Sequence, residues 1–273
     1  MSFIYRWLVV WGGLALALAV CQPIRAEVAK AENPEDKVVT RIEALGGMVS
    51  RADQQKGPVI GVNLSGNPVG AADMEIICTL PNLEEMSLTG TGLNDAALQP
   101  LAKLPKLRTL HLAQNPITEE GLKFLHGLTQ LELLGLKGTK VNDAGITQLK
   151  DMTKLRWLGL RNTLLTDAGL KELSALTQLP GVSLSYTQIT DAGMKNLAGL
   201  IHMERLLLDH TKITDASLGS LQGMADLHEL DLSGTAVTGA GLERLKGLKN
   251  LRKDEYGGGG YRITPFAPKR SGS

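Results

Sequence analysis

The chain has 273 residues, of which 43% are hydrophobic and 21% charged, and its formal net charge is +1. This nearly neutral balance argues against a nucleic-acid partner, which would require a basic stripe or patch. Aromatic residues make up only 4% of the chain, so any core must be aliphatic.

The amino end has the pattern of an export signal. One positive charge, Arg6, precedes an unbroken apolar run over residues 7–20. That run is shorter than the roughly 20 residues of a membrane span, and it suits the hydrophobic region of a secretory signal. We therefore expect residues 1–26 to be a signal peptide or amino-terminal anchor. The protein would then be exported to a bacterial cell envelope, periplasmic or membrane-anchored, and would contact the membrane only through this segment.

The end of this segment leaves three alternatives open. Cleavage after Ala26 and retention as an anchor are favoured over lipidation at Cys21, because Val20 stands where a lipobox has a small residue. Apart from Cys21 the chain has only Cys78. The exported part can therefore form no internal disulfide, and its stability must come from a core.

Residues 27–58 are predicted to form an amino-terminal cap of one helix and one strand. Asn33 followed by Pro34 is a typical helix start, and the two glycines at positions 46 and 47 would end the helix. An apolar helix face is formed by Val38, Ile42 and Leu45. The stretch GMVSR that follows would pair beside the strand at Val59 and cover the edge of the sheet.

From Val59 onward the apolar residues repeat every 24 positions through eight rows without an insertion or deletion. The rows begin at Val59, Leu83, Leu107, Leu131, Leu155, Leu179, Met203 and Leu227. In each row an LxL spacing is typical of a strand, whereas the spacing of Leu170, Leu173 and Leu176 lies along one helix face. No row could bury its leucines alone, so successive rows must stack and share a core.

The row consensus LxxLxLxxTxxTDAGLxxLxxL resembles a leucine-rich repeat of the ribonuclease-inhibitor or F-box type, and the chain is similar to exported bacterial proteins with such repeats. The resemblance covers residues 59 to about 250. It implies an α/β solenoid: a curved rod of 24-residue coils with a parallel inner sheet and outer helices. We assign residues 59–256 to this domain, as eight coils and a partial ninth, and residues 257–273 to a flexible tail.

The recurrent TDAG motif is explained by helix capping. A threonine or asparagine at the start of each helix can accept a backbone N–H, and the acidic residue after it interacts favourably with the helix dipole. We expect the glycine of the motif to let neighbouring rows approach closely. A second column, which includes Thr91, Thr139 and Asn115, would bond the backbone at the turn after each strand. A calcium ladder along the acidic column is disfavoured, since one carboxylate per row offers too few ligands, and we expect neither a metal nor another cofactor.

Side chains between the leucines of each strand would face the concave surface, and they differ most in the middle rows. An exposed cluster of Trp, Tyr and Arg is the usual composition of a binding hot spot. We therefore predict a partner-binding face made of Leu133, Lys137, Trp157, Arg161, Asn162, Tyr186, Arg205, Leu207, Asp209 and His210. The alternative is that the two aromatic side chains only cover one another and the arginine stems, and so stiffen the sheet.

Catalysis has little support in the sequence. Ser183 lies in GVSLS, within a predicted strand and without the second glycine of a nucleophile elbow. We therefore expect a non-enzymatic, monomeric interaction scaffold of the cell envelope with a protein partner. The alternative functions are a structural protein that self-assembles through its ends and, more remotely, a hydrolase that uses Ser183 or His210.

Overall fold

The computed structural model describes residues 34–53, 57–251 and 261–262. The chain divides into two compact units, residues 1–37 and 38–273. The predicted signal or anchor, the Cys21 lipidation alternative, most of the partial ninth coil and most of the tail lie outside the described residues. Among the residues that are described, no helix is long and apolar enough to cross a membrane.

The amino-terminal cap has the predicted helix and strand. Helix α1 (Pro34–Ala44) buries Val38 and Ile42, and strand β1 (Met48–Arg51) pairs antiparallel with the first strand of the repeats. Arg41 on α1 donates from Nε to Asp73 Oδ1 at 2.8 Å. Burial would raise the pKa of Asp73, but hydrogen bonds from the Gly70 amide and from Arg41 hold it below its ordinary value. The cap therefore covers the edge strand and is attached to the first row by an ion pair.

The repeat strands form one sheet in sequence order, and all neighbours after β1 and β2 are parallel. From β2 to β9, each pairing joins residues 24 positions apart, as when Leu134 lies opposite Leu158. The strands are β2 (Val59–Asn63), β3 (Glu85–Ser87), β4 (Thr109–His111), β5 (Leu133–Gly135), β6 (Trp157–Gly159), β7 (Gly181–Ser183), β8 (Arg205–Leu207) and β9 (Glu229–Asp231). The 24-residue period of the sequence thus equals the offset between paired residues of neighbouring repeat strands.

The helical side of the rows is irregular: short α-helices alternate with or continue into 3₁₀-helices. The α-helices are α2 (Ala71–Ile77), α3 (Glu119–Leu122), α4 (Asp143–Ile146), α5 (Asp167–Leu173), α6 (Asp191–Met194) and α7 (Gly239–Leu242). The 3₁₀ segments are Asp95–Lys103, Lys123–Leu125, Thr147–Leu149, Lys195–Gly199, Asp215–Leu221 and Glu243–Leu245. Such short helices cannot be stable alone, so packing against the sheet must hold them.

The core is aliphatic and shared by all rows. The leucine column that begins at Leu64 and ends at Leu232 is 0% exposed in every row. These side chains, the buried helix residues and the cap residues Val38 and Ile42 belong to one hydrophobic cluster. Burying each leucine stabilises the fold by about 1.5–3 kcal/mol. The predicted α/β solenoid with a parallel sheet and helices is confirmed.

The TDAG motif holds adjacent rows together as well as starting helices. Thr166 caps α5 by accepting the Ala168 amide, as predicted. In addition, Asp167 at the start of α5 accepts the Thr190 backbone N–H at 2.8 Å and the Thr190 hydroxyl at 2.6 Å. The same two bonds are made by Asp95, Asp143, Asp191 and Asp215 to the capping threonine of the next row.

The motif glycine makes this carboxylate bridge possible. A Cβ on Gly193 would overlap the Asp167 carboxylate of the preceding row, and Gly121, Gly169 and Gly241 stand in the same relation to their own preceding aspartates. The expectation that these glycines permit close approach of the rows is therefore confirmed.

The second polar column also bonds the backbone as predicted. Thr139 donates its hydroxyl to the Leu136 carbonyl at 2.7 Å, and the equivalent threonines do the same. Asn115, which is buried, accepts the amides of three consecutive residues of the previous row, Thr91, Gly92 and Leu93.

Two residues of the segment predicted to be a flexible tail are ordered in the sheet. Strand β10 (Tyr261–Arg262) pairs parallel with β9, with Tyr261 opposite Leu230. A 24-residue row would have placed Asp254 at that register position. The unpaired backbone of β9 can be satisfied by any extended segment within reach, which explains the irregular spacing.

Candidate functional site

The concave face is the side of the sheet opposite the helices, and its central rows carry the predicted candidate residues. Trp157 and Leu133 begin strands β6 and β5 and are half-buried, and Arg205 begins β8 and is exposed. Leu207 ends β8 and is half-buried. These four side chains alternate with buried leucines along their strands, so they point away from the core, as predicted.

Trp157 is held flat by its neighbours. A Cβ on Gly181 of the next strand would approach Trp157 Cζ3 to 2.9 Å, so the indole covers that glycine. On the ring lies the Arg205 guanidinium, with Cζ 4.6 Å from the ring centroid. Arg205 in turn donates from Nε to Glu229 Oε2 at 2.5 Å. The indole, the guanidinium and the carboxylate therefore form one fixed cluster across β6 to β9.

A second cluster lies at the turns that follow β6, β7 and β8. Tyr186 packs between residues of the rows before and after it. The Arg161 guanidinium carbon is 4.1 Å from the Tyr186 ring centroid, and the His210 ring is stacked at 4.2 Å with an interplanar angle of 16°. Such cation–π and stacked contacts contribute about 0.5–1.5 kcal/mol each. Tyr186 remains 40% exposed.

Asp209 fixes this second cluster from below. It is only 7% exposed, and its Oδ2 accepts from Arg161 Nη1 at 2.9 Å and lies 3.3 Å from His210 Nδ1. Burial would raise the pKa of Asp209, but hydrogen bonds from Ser185 and Arg161, the charge of Arg161 and a hydrogen bond from His210 hold it below its ordinary value. Asp209 therefore stays ionised and supports Arg161, whereas we had predicted it to be part of the exposed binding surface.

The backbone of the second cluster adopts an unusual conformation. Asn162, Tyr186 and His210 have φ of 53°, 57° and 57°. They occupy one position of the repeat, in the turn after the strand, where other rows place Gly66, Gly90, Gly138 and Gly234, also at positive φ. A left-handed conformation costs a non-glycine residue about 1–2 kcal/mol, and strain of this kind is concentrated at functional sites.

The candidate residues thus separate into two sets. The strand set contains Leu133, Trp157, Arg205 and Leu207, and the turn set contains Lys137, Arg161, Asn162, Tyr186, Asp209 and His210. The prediction treated both sets as strand residues of one face. Between them lie small residues, among them Gly159 and Ser183, both buried. In the described part of the chain the ring stacking of Tyr186 is with His210 rather than with Trp157, so the two aromatic side chains do not simply cover each other.

The spacing of glycines in the sequence predicts the left-handed turn. Glycines at a spacing of 24 or its multiples, at positions 66, 90, 138 and 234, mark a position that favours positive φ. Any other residue in that column had to adopt the same conformation. His210 and Tyr186 could therefore have been assigned to turns from the sequence alone.

The amino-terminal rows carry a separate groove on the concave face. Its lining includes Met48 of β1, Gly61, Glu85 and His111. Met48 is 66% exposed. Burial lowers the pKa of His111, and the negative charge of Glu85 partly opposes this effect. Within the residues that the structure describes, no group of three or more His, Cys, Asp or Glu side chains could hold a metal ion.

A family model described as Leucine Rich repeat matches residues 103–125, 182–198 and 224–246. No curated protein matches the sequence. The matched residues fall in three of the stacked regions described above, and they support the assignment of the repeats as leucine-rich.

Solved structures of leucine-rich repeat proteins are similar to this chain. Internalin C2 of Listeria monocytogenes is 23% identical, with a TM-score of 0.57 over 76% of this chain and 81% of that one. The ectodomain of the Arabidopsis receptor kinase HAESA, in complex with an extended IDA peptide hormone, is 18% identical, with a TM-score of 0.59 over 84% of this chain and 41% of that one.

A second HAESA structure, with the IDA peptide and the co-receptor SERK1, has a TM-score of 0.58 at 18% identity and covers 85% of this chain. This chain spans about two fifths of the HAESA ectodomain, since the matches cover 41% and 42% of it. At these identities the similarities establish the fold, and the fold is a leucine-rich repeat solenoid.

Proposed function

We propose that this leucine-rich repeat solenoid is a non-catalytic scaffold that binds a protein partner on the central rows of its concave face. The observation that carries the proposal is the pair of arginine–aromatic clusters. Arg205 lies on Trp157, and Arg161 lies on Tyr186. Tyr, Trp and Arg dominate binding hot spots because they provide large contact areas, and these four are held in place before any partner arrives.

Related folds support this proposal. The HAESA ectodomain, a leucine-rich repeat structure, was determined in complex with a peptide hormone. We also propose that the repeats are of the ribonuclease-inhibitor or F-box type, since each row combines one strand with short helices. Export to a bacterial cell envelope remains part of the proposal and is supported by the apolar run over residues 7–20.

A hydrolase is less well supported than a scaffold by the same geometry. Ser183 is buried in strand β7, and its Oγ lies 3.4 Å from Ser185 Oγ. His210 faces Asp209 and Tyr186. In the described residues His210 and Ser183 are therefore not arranged as a base and a nucleophile.

The test is affinity capture from the native cell envelope with the wild-type protein and the Trp157→Ala/Tyr186→Ala double variant as baits. We expect the wild type to retain a partner that the double variant loses, while the double variant stays folded at the assay temperature, because both side chains lie outside the core. Equal capture by both baits would refute the proposal. Concentration-dependent polymers in size-exclusion chromatography with light scattering would instead support a self-assembling structural protein.

A further inference from the structure

We infer that the turns after β6, β7 and β8 form a built recognition edge for a carboxylate-bearing segment of the partner protein. We call this set the edge ladder: Arg161, Asn162, Tyr186, Asp209 and His210. The inference rests on the proposed function and specifies the chemistry of the partner.

The backbone of the edge ladder is unusual in three successive rows. Three successive rows place Asn162, Tyr186 and His210 at the left-handed position that four other rows give to glycine. The fold does not need a side chain there, since the rows with glycine have the same turn. The remaining row has Gln114 there, also at φ 57°, so the ladder is distinguished by three successive rows with such side chains above a buried carboxylate, which indicates a surface selected for contact.

Arg161 is preorganised by its neighbours. Tyr186 holds Arg161 on one side, and Asp209 binds Arg161 through Nη1 alone. The Nε and Nη2 donors of Arg161 contact no acceptor among the described residues, and the side chain is 35% exposed. A guanidinium fixed in this way loses little conformational freedom on binding and can offer two parallel donors.

The exposed charges at this edge are positive. Lys137, in the row before Arg161, is exposed, and Asn162 is exposed beside it. The acid of the ladder, Asp209, is buried and already bonded. The surface therefore offers cationic donors, and their natural counterpart is a carboxylate.

The local surface favours a protein segment over a membrane. Membrane headgroup sites use clusters of about 4–8 basic residues, whereas the lysines and arginines of the turn set are two, Lys137 and Arg161. The half-buried aliphatic side chains Leu133 and Leu207 lie on the adjoining strands. A peptide with acidic and aliphatic side chains fits both features.

The experiment measures binding of a fluorescein-labelled hexaglutamate peptide to the full-length protein by fluorescence anisotropy at low ionic strength. The test variant is Tyr186→Gly/His210→Gly, which has at both positions the glycine that four other rows carry. The matched control is Gln114→Gly, which relieves the same backbone position, at φ 57°, in a row outside the ladder.

We expect the test variant to bind hexaglutamate at least about tenfold more weakly than the wild type. Gln114→Gly should bind like the wild type. The thermal midpoints of both variants should lie within about 4 °C of the wild type, because glycine relieves strain while the ring contacts are lost. Hexaglutamine should not bind.

Unchanged hexaglutamate binding by the test variant, equal binding of hexaglutamine, or no binding by the wild type would each overturn the inference. The inference would also be overturned if vesicles of phosphatidylcholine and phosphatidylglycerol bound the wild type and bound Tyr186→Gly/His210→Gly more weakly by the same factor. The proposed function fails separately. If the Trp157→Ala/Tyr186→Ala variant loses partner capture while Tyr186→Gly/His210→Gly keeps it, the scaffold function stands and only the edge ladder is refuted.

Discussion

The carboxylate bridge between rows predicts that alanine at a helical glycine will destabilise the protein. Alanine normally stabilises a helix over glycine by about 1 kcal/mol. At Gly193 the added Cβ would overlap the Asp167 carboxylate and displace it from Thr190. Two hydrogen bonds to a charged acceptor would be lost, at about 1.5 kcal/mol each for a partly exposed site. The net effect of Gly193→Ala is then a loss of about 2 kcal/mol, or about 4–8 °C in thermal midpoint.

A double-mutant cycle with Asp167→Ala, measured by urea and thermal unfolding with circular dichroism, tests the carboxylate bridge. In the Asp167→Ala background the obstacle is gone, so Gly193→Ala should stabilise by about 1 kcal/mol, and the interaction free energy should be about 3 kcal/mol. Gly199→Ala is the matched control, because a Cβ there meets nothing within 4 Å. An equal loss from Gly193→Ala in both backgrounds would refute the bridge.

Three further predictions concern buried groups. Asn115→Ala leaves three backbone amides without their acceptor and should lower the free energy of unfolding by about 3 kcal/mol in urea titrations. The folded-state pKa of Asp209 is lowered, so its contribution to the free energy of unfolding is present above the unfolded pKa of about 3.9 and is lost as pH falls through the folded-state pKa. On acidification, the thermal midpoint of Asp209→Asn should therefore fall less than that of the wild type. Burial raises the pKa of the Cys78 thiol to about 12, so in a Cys21→Ser variant a thiol reagent at neutral pH should react only as the protein unfolds.

The stacked core could be predicted from the sequence because burial imposes one register. If Leu136 or Leu160 were shifted by one position along the chain, its side chain would face solvent. Their constant spacing of 24 therefore specifies both the strand and its neighbour. The cap helix was predictable for a related reason, since Pro34 and the apolar spacing of Val38 and Ile42 are local signals.

The contacts between rows could be predicted only in part. The sequence places Asp167 at a helix start and suggests the dipole as its partner, but the bonds to Thr190 depend on how closely two rows approach. That separation is set by packing, which a linear pattern does not contain. Strand β10 was missed for a similar reason, because its pairing with β9 breaks the 24-residue spacing.

The candidate site was predicted in composition but not in arrangement. The placement of Trp157, Tyr186 and Arg161 outside the core followed from their positions outside the core columns. The pairing of each aromatic ring with an arginine from a different row, and the burial of Asp209, required three-dimensional coordinates. We expected Trp157 and Tyr186 either to bind a partner or to cover each other and the stems of Arg161 and Arg205. Each ring does contact one of these arginines, whereas the ring stacking of Tyr186 is with His210; partner binding stays a prediction.

The central claim is that the partner lies on the concave face, and site-specific photo-cross-linking tests it most directly. A benzophenone side chain would be placed at Leu207 on strand β8 or at Gln222, which is exposed on the helical side of the same row. In the cells that naturally produce the protein, irradiation should give a partner adduct from position 207 and none from position 222. Adducts from position 222 alone would place the partner on the helices and contradict the account.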